Sequence, residues 1–397
     1  MSKVIVHIDL NAFFVRAEEI KEPSLENKPV AIGKEGRGGI VSTCSYEARK
    51  FGVHSGMPMF QAKQLCPNLI VLPGDYRFYR ALSRTFFAFM RNYTPLVEIA
   101  SVDECYADFT EVIKGKKDVE SYFRRLQSDL FAKTGLKCSI GVGPNKFLAK
   151  MGSDYKKPLG LTIIRKKDVS TILYPLSLDK LYGVGKRTLP KLQAMGISTI
   201  GELAKRLFED DSETLKVLGK FSITLTEWLK GNGDDEIIVE EFDPKSIGHS
   251  TTLKNDTNDF EDIKPIYREL CNEIAYQAKK EKKMGHTVQI VIKESDGNFT
   301  THNKSVTLDR PINDANLIYK YATNLYEKYF LGITVRLVGV TLQNLISQKE
   351  AVIQMSLFNY EEHESENKTK LLINEINRGL DKPLLMRASD VKKEKKK

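Results

Sequence analysis

The chain has 397 residues, too many for one ordinary hydrophobic core, and its 61 Lys and Arg against 52 Asp and Glu give a formal net charge of +9, the balance expected of a protein that meets polyanions. No run of about 18 apolar residues is present, the apolar N-terminal stretch is short and interrupted by Asp9, and the five cysteines form no CxxC pair. These features exclude a membrane span, a disulfide framework and a CxxC zinc site, and they predict a cytoplasmic protein of about two to four domains with reduced thiols.

The hydrophobic periodicity predicts an α+β fold, because strand and helix patterns alternate through the first part of the chain. Strands are predicted over 3–10, 28–33, 38–45, 136–143 and 159–164, helices over 12–20, 46–52, 58–65, 75–93, 119–135 and 145–155, and a strand, tight turn and second strand over 96–110. A helical region over 167–232, an acidic linker over 233–245 and mixed strands and helices over 246–345 follow.

Two adjacent carboxylates, Asp103 and Glu104, interrupt the apolar stretch IASVDECYAD at 99–108. An unpaired buried carboxylate costs enough free energy to require either a turn or a cation. Asp9 ends the first predicted strand, so a sheet that pairs this strand with the hairpin brings the three acids together, and two Mg²⁺ ions are the usual counter-charge for such a group. The alternative is that Asp103 forms an Asx turn and Asp9 caps the following helix.

Five motifs follow one another in the order HIDLNAFFVRAEE, CSYEARKFGVHSGMP, IASVDECYADF, GVGPNKFLAKMGSDYKKPLG and SIGHSTTL. The set resembles the Y-family DNA polymerases from residue 3 to about 345, most closely the DNA polymerase IV branch. The resemblance implies a right-hand polymerase with a ferredoxin-like palm (1–10 and 76–166), small fingers (19–75), a helical thumb (167–232), a linker (233–245), an α/β little finger (246–345) and a tail (346–397).

This resemblance implies a DNA-directed DNA polymerase that adds dNTPs to a primer 3′ end with two Mg²⁺ ions. Asp9 and Asp103 would bridge both ions, Glu104 would complete the shell of the catalytic ion, and the backbone carbonyl of Leu10 would bind the nucleotide-side ion. The family pattern often has an Asp where this chain has Asn11, so Asn11 is not assigned as a ligand. No second group of acids suits a proofreading exonuclease, and we expect low-fidelity translesion synthesis in DNA damage tolerance.

The resemblance also implies the residues around the incoming nucleotide. Phe14 matches the ring that blocks a 2′-hydroxyl, whereas its neighbour Phe13 either joins this pocket or belongs to the core. The other expected residues are Thr43, Tyr46, Arg49 and Lys157 at the triphosphate, and Ile40 and Ser42 near the nascent base pair. Tyr46 and Arg49 are three residues apart and would share a helix face. Without the motif, a solvated helix face would be the simpler explanation of Arg49 and Lys157.

DNA contacts are expected further along the chain. Gly183 and Gly185 form a Gly-x-Gly turn typical of a helix-hairpin-helix, whose backbone N–H groups bind a DNA phosphate, although the turn alone could be a helix C-cap. Beyond the last predicted domain, the apolar patch QMSLF resembles the peptide by which bacterial polymerases bind the sliding clamp. Its contact residues would be Gln354, Met355, Leu357 and Phe358, and the Lys-rich end is expected to be a solvated tail.

Two other classes of protein remain open at this point. A nucleotide cyclase also uses a ferredoxin-like sheet with paired acids, but it has no use for a helix-hairpin-helix, and primer extension distinguishes the two activities. A DNA-binding scaffold with structural acids would bind primer-template DNA without magnesium-dependent turnover. The polymerase interpretation predicts a monomer that requires primer-template DNA, dNTPs and Mg²⁺.

Overall fold

The computed structural model describes residues 3–240 and 243–351. The chain divides into two compact units, Met1–Phe242 and Asp243–Lys397. Each unit combines β-sheets with helices, so the predicted α+β class is confirmed. Within the described residues, no helix is long and apolar enough to cross a membrane.

The first unit contains eight of the strands and eleven of the α-helices in the described ranges. The strands are β1 (Ile5–Leu10), β2 (Val30–Gly33), β3 (Val41–Cys44), β4 (Ile70–Leu72), β5 (Val97–Ile99), β6 (Glu104–Asp108), β7 (Cys138–Gly143) and β8 (Leu161–Ile163). The helices are α1 (Phe13–Lys21), α2 (Tyr46–Arg49), α3 (Met59–Leu65), α4 (Tyr76–Arg91), α5 (Val119–Thr134), α6 (Lys146–Tyr155), α7 (Val169–Ile172), α8 (Leu189–Ala194), α9 (Ile200–Phe208), α10 (Ser212–Leu218) and α11 (Phe221–Leu229).

Strand β1 lies in the middle of a five-stranded sheet with the order β5-β6-β1-β7-β8. All six residues of β1 are buried, as its apolar sequence predicts for a central strand. Strands β6 and β7 flank it in antiparallel orientation, and β8 runs parallel to β7. The register places Asp9 between Glu104 of β6 and Ser139 of β7. The polar end of β1 is therefore enclosed by its neighbours on both sides.

Two long amphipathic helices pack on this sheet. Asp75 caps α4 by accepting the Phe78 N–H, and Asp118 caps α5 by accepting the Ser121 N–H. Helix α5 ends at Gly135, whose φ of 72° lies in the left-handed region that glycine adopts at helix C-termini. Apolar side chains on both helices, including Phe86, Met90, Phe123 and Leu126, share one core with Val6 and Ile8 of β1.

A smaller sheet has the order β3-β2-β4 and its own core with α2 and α3. Strand β4 was not predicted, because its three residues pair with β2 in parallel and show no alternation of their own. Helices α7 to α11 enclose a separate apolar core that includes Leu173, Leu192, Leu203 and Leu225. The helical region predicted from residue 167 is thus present as several short helices.

The second unit is a four-stranded antiparallel sheet with two helices on it. Its elements are β9 (Ser246–Thr257), α12 (Phe260–Lys280), β10 (Lys283–Glu294), β11 (Thr301–Ile312), α13 (Ala315–Tyr329) and β12 (Val335–Ser347). The strand order is β11-β10-β12-β9. Buried side chains of the helices, such as Ile274 and Tyr326, share a core with Ile290 and Val340 of the sheet.

Candidate active site

The sheet brings the three predicted acids to one edge. Asp9 is the fifth residue of β1 and pairs in register with Glu104, the first residue of β6. Asp103 immediately precedes β6, and its backbone carbonyl accepts the Leu10 N–H at 3.0 Å. Adjacent ends of antiparallel strands meet at the same edge, so the side chains come from rigid elements.

The hairpin between β5 and β6 has the local hydrogen bonds of a tight turn. The Ser101 hydroxyl donates to Asp103 Oδ1 at 2.6 Å, and the Ala100 N–H donates to the Glu104 carbonyl at 3.0 Å. Asp103 therefore lies in the hairpin turn, but its carboxylate accepts from the Ser101 hydroxyl, which is not the hydrogen bond of an Asx turn. Asp9, however, does not cap α1: that helix is preceded by Ala12 in the left-handed conformation, with no capping side chain.

Two lysine side chains lie among the acids. Lys157 Nζ donates to Asp9 Oδ2 at 2.6 Å, and Lys150 Nζ donates to Glu104 Oε1 at 2.8 Å and to Asp9 Oδ2 at 3.4 Å. Asp154 contacts both lysines, at 3.5 Å from Lys150 Nζ and 2.7 Å from Lys157 Nζ. The site therefore alternates acids and ammonium groups.

The buried acids differ in their proton affinity. Burial and the adjacent Glu104 raise the pKa of Asp9 to about 7, against the opposing effect of Lys157. Burial also acts to raise the pKa of Glu104, but hydrogen bonds with His7, Asp9 and Lys150 outweigh it and hold that pKa well below its usual range. Burial raises the pKa of Asp103, although the Ser101 hydroxyl opposes the rise. Three negative charges at this edge are thus unfavourable without added cations.

These acids face a pocket of about 370 Å³. Its lining contains most of the residues that the sequence predicted, namely Asp9, Leu10, Phe13, Phe14, Ser42, Thr43, Tyr46, Arg49, Asp103, Glu104 and Lys157, together with Ala12, Ser55 and Val102. The acids and Leu10 form one part of the wall, while Tyr46 and Arg49 of α2 form another. Helix α2 begins at Ser45, whose hydroxyl accepts the Ala48 N–H.

The basic and aromatic side chains of the pocket support one another. The Arg49 guanidinium lies over the Tyr46 ring at 4.6 Å from its centroid, which orients the cation beside the phenol. The Phe14 ring stacks on Tyr79 of α4 with centroids 4.5 Å apart. Tyr79 is itself fixed by donating its hydroxyl to Glu18 Oε1 at 2.6 Å. Phe13 is buried in the core but also reaches the pocket lining, so both interpretations of this residue hold in part.

The sequence predicts Ile40 and Ser42 near the nascent base pair, and the structure places Ile40 beside the pocket that contains the acids. Its side chain is 52% exposed and lines a neighbouring cavity with Ser42 and Tyr76, outside the pocket that contains the acids. Ile40 precedes β3 and forms only an isolated bridge with Pro58. Ser42 lines both cavities and therefore lies at their boundary.

The donor set fits a hard divalent cation, because two aspartates, a glutamate and a backbone carbonyl supply only oxygen atoms. No three His, Cys, Asp or Glu side chains in residues 3–240 and 243–351 are arranged so that they could hold a metal ion as they stand. Lys150 contacts Glu104 and Lys157 contacts Asp9. Because these ammonium groups already pair with the carboxylates, the carboxylate oxygens do not converge on a single point. The residues fit the ions, and the two lysines would have to share these contacts with them.

The sequence did not identify Lys150 as part of this site. It lies on α6, whose residues from Phe147 to Ser153 are all buried. A lysine in such a stretch needs a carboxylate partner, and this requirement is the signal that could have identified it.

The predicted DNA-contacting turn lies in the region of short helices. Gly183 has φ of 92°, and an added Cβ would lie 2.5 Å from the Phe221 ring, so the position requires glycine. Helix α8 begins at Leu189, and the N–H groups of Thr188 and Leu189 both donate to the Gly185 carbonyl, so the turn leads directly into this helix. The predicted clamp-binding residues Gln354, Met355, Leu357 and Phe358 lie outside the described residues.

Models of known families match most of the chain. The impB/mucB/samB family model matches residues 8–154, and the model of the C-terminal domain of this family matches residues 244–357. Between them, the model of the HHH motif of the IMS family matches residues 166–197.

Curated relatives and a solved structure agree with these models. DNA polymerase IV 1 of Bacillus subtilis (strain 168) is 39% identical over 100% of this chain and 95% of its own length. DNA polymerase IV of Oceanobacillus iheyensis is 38% identical over 94% of this chain and 88% of its own. A Y-family DNA polymerase chimera of known structure is 27% identical, has a TM-score of 0.76, and covers 87% of this chain and 99% of its own. The chain therefore belongs to the impB/mucB/samB family, the Y-family DNA polymerases.

Proposed function

We propose that this DNA-directed DNA polymerase extends primers with dNTPs by two-metal nucleotidyl transfer, and that it performs low-fidelity translesion synthesis without a proofreading exonuclease. The observation that carries the proposal is one pocket lined by three carboxylates, by Lys157 in contact with one of them, and by an arginine and a tyrosine of α2. Carboxylates suit Mg²⁺ and cationic side chains suit a triphosphate, so the pocket matches both parts of a magnesium-bound nucleotide.

The metal ligands would come from the ends of β1 and β6. Asp9 and Asp103 would bridge two Mg²⁺ ions, Glu104 would complete the shell of the catalytic ion, and the Leu10 carbonyl would bind the nucleotide-side ion. When bound, such ions activate the primer 3′-hydroxyl and neutralise charge on the triphosphate and pyrophosphate. Because Asp9 resists ionisation beside Glu104, these acids retain a strong preference for an added cation.

The triphosphate would lie against α2 and the segment after α6. Arg49 would donate to phosphate oxygens in the orientation that the Tyr46 ring imposes, with the Tyr46 hydroxyl and Thr43 beside it. Lys157 Nζ lies 2.6 Å from Asp9 Oδ2, so its ammonium group is next to the proposed metal ligands. It would reach the same triphosphate from that side.

Sugar selection would depend on Phe14. Its ring lines the pocket on one side and stacks on Tyr79 on the other, so it has little freedom to move away from a 2′-hydroxyl. Phe13 supports this ring at 5.4 Å between centroids. The pocket would therefore select deoxyribonucleotides.

We further propose how the protein binds DNA and its protein partner. The turn at Gly183 and Gly185 would bind a DNA phosphate without reading sequence, and the second unit would contact the duplex backbone through residues around Lys280 and strand β9. Gln354, Met355, Leu357 and Phe358 would bind the sliding clamp, and Ile40 and Ser42 would lie near the nascent base pair. The protein would act as a cytoplasmic monomer.

Primer extension tests the assignment of the acids. We expect Asp9→Asn and Asp103→Asn each to reduce nucleotide incorporation by a factor on the order of 10³ or more, because each removes charge that holds the ions. Affinity for primer-template DNA should stay within about twofold, since phosphate contacts elsewhere carry DNA binding. Single-turnover incorporation and fluorescence anisotropy measure the two quantities.

Asp108→Asn is the matched control for this experiment. Asp108 is the last residue of β6, four positions from Glu104, and accepts the Thr110 N–H at 2.8 Å. The control should extend primers at the wild-type rate. Near-normal extension by Asp9→Asn or Asp103→Asn would refute the active-site assignment, and production of cyclic nucleotides would replace the polymerase proposal with a cyclase.

A further inference from the structure

Asn11 is a buried polar residue whose carboxamide forms hydrogen bonds through both its nitrogen and its oxygen. It follows β1 directly and is only 4% exposed. Its Nδ2 donates to the Ser139 hydroxyl of β7 at 2.9 Å, and its Oδ1 accepts the Leu159 N–H at 2.8 Å. Its own backbone N–H donates to the Lys137 carbonyl at 2.7 Å. One side chain thus connects the end of β1 to β7 and to the segment between α6 and β8.

This segment, residues 156–160, is held from two directions. Leu159 has φ of 59°, a left-handed conformation that is unfavourable for leucine and persists only where neighbours fix it. Asn11 accepts its N–H, while the Leu159 carbonyl accepts from Arg124 Nη1 at 3.3 Å and from Gln127 Nε2 at 3.4 Å. Asn11 supplies the contact on the side of the candidate active site.

The same segment carries Lys157, two residues before Leu159, and Asn11 lies two residues after Asp9. Lys157 Nζ donates to Asp9 Oδ2 at 2.6 Å. The segment is therefore attached to the end of β1 at two points, once through the Lys157 ammonium and once through the Leu159 N–H. Loss of the second attachment would leave Lys157 on a segment whose strained residue has lost its partner.

We propose that Asn11 is a positioning residue that fixes residues 156–160 and thereby sets the reach of Lys157 toward the triphosphate of the incoming nucleotide. The inference rests on the role proposed above for Lys157. A neutral carboxamide suits this position because it supplies an acceptor for Leu159 and a donor for Ser139 without adding a fourth carboxylate beside Asp9, Asp103 and Glu104.

The test combines steady-state kinetics with hydrogen exchange. Asn11→Ala should raise the KM for dNTPs about tenfold and change kcat by less than about twofold, the effect of one lost buried hydrogen bond on binding. In the free protein, the Leu159 amide should exchange about tenfold faster. Ser139→Ala is the matched control: it removes the partner of Asn11 Nδ2 but keeps the Leu159 bond, so KM should stay within about twofold.

A double variant distinguishes positioning from an independent effect. If Asn11 acts through Lys157, the dNTP KM of Asn11→Ala combined with Lys157→Ala should equal that of Lys157→Ala alone. Additive effects would overturn the inference, as would faster Leu159 exchange with an unchanged KM. An unchanged KM for dNTPs in Lys157→Ala would refute the assigned role of Lys157 and this inference with it. A raised KM in Lys157→Ala together with an unchanged KM in Asn11→Ala would overturn this inference alone.

Discussion

At the scale of single residues, the candidate site depends on charges that are balanced across different parts of the chain. Lys150 and Lys157 lie more than 140 positions from Asp9, yet both contact Asp9 Oδ2. Without these ammonium groups, Asp9 and Glu104 would face each other with no cation. The two lysines therefore keep the acids in place before a metal ion binds, and breaking such a buried pair costs about 3 to 5 kcal/mol.

Lys150→Met keeps an unbranched side chain only one atom shorter and removes the charge. We expect the variant to unfold at lower temperature than the wild type in EDTA, because Glu104 loses its contact at 2.8 Å. Added MgCl₂ should then raise the unfolding temperature of the variant more than that of the wild type, since the ion replaces the missing charge. Differential scanning fluorimetry with and without the metal measures this; equal shifts in the two proteins would contradict it.

Phe14→Ala should admit ribonucleotides. Removing the Phe14 ring enlarges the pocket at this position, while Tyr79 behind it remains held by its hydrogen bond to Glu18. The ratio of dNTP to rNTP incorporation should fall by about two orders of magnitude or more, because a steric barrier of about 3 kcal/mol against the 2′-hydroxyl is removed. Arg49→Ala is the control, because a phosphate contact should weaken both nucleotides alike and leave the ratio unchanged. Unchanged discrimination in Phe14→Ala would mean that the ring belongs only to the core.

At the scale of elements, helix α4 supports the pocket from behind. Its first turn carries Tyr76, whose ring meets Phe14 edge-on at 5.7 Å, and the next turn carries Tyr79. Asp75 holds the start of the helix: it accepts the Phe78 N–H at 3.1 Å and contacts Lys21 of α1 at 3.0 Å. The cap therefore links the two helices whose aromatic residues meet behind the pocket.

Asp75→Asn separates the charge of this cap from its shape. The Phe78 N–H and Lys21 hold the pKa of Asp75 below its ordinary value of 3.8. A lowered folded-state pKa stabilises the fold above the ordinary value, and the effect disappears as the pH falls through the lowered one. We therefore expect Asp75→Asn to lower Tm at pH 7 and the difference from wild type to shrink on acidification. Thermal unfolding against pH measures this, and a difference independent of pH would contradict it.

At the scale of the whole molecule, the chain consists of two units with separate cores, and family models match regions in both. Catalysis is assigned to the first unit, where the acids and the nucleotide pocket lie. The apolar residues of QMSLF follow the last described strand and lie in a polar stretch of sequence. Apolar residues isolated in a polar stretch of sequence are typical of a short peptide that binds a groove on another protein.

Leu357→Ala combined with Phe358→Ala tests this partner. Extension of a short primer without the clamp should be unchanged, because the altered residues follow all the elements assigned to catalysis. Stimulation of long products by the clamp should be lost, together with clamp affinity by about a hundredfold, as expected for two apolar anchors. Lower Tm and lower basal activity with retained clamp binding would show that the residues instead pack on the protein itself.

The sequence by itself determined most elements of the first 164 residues and the family. The continuous apolar pattern of residues 3–10 predicts the central strand β1, and the order of the five motifs identifies the Y-family, as the family models confirm. Strand ends can be read locally because side-chain periodicity depends only on neighbouring residues. The meeting of Asp9 with the hairpin acids could be predicted only on the condition that one sheet pairs the two strands, and the structure supplies that pairing.

Only the tertiary structure decided what surrounds those acids. The contacts of Lys150 with Glu104, of Asn11 with Leu159 and of Phe14 with Tyr79 join residues that are 46, 148 and 65 positions apart. The position of Ile40 outside the pocket likewise depends on how β3 pairs with β2. No local periodicity encodes such contacts, because they depend on the packing of whole elements against one another and on the need to neutralise each buried charge.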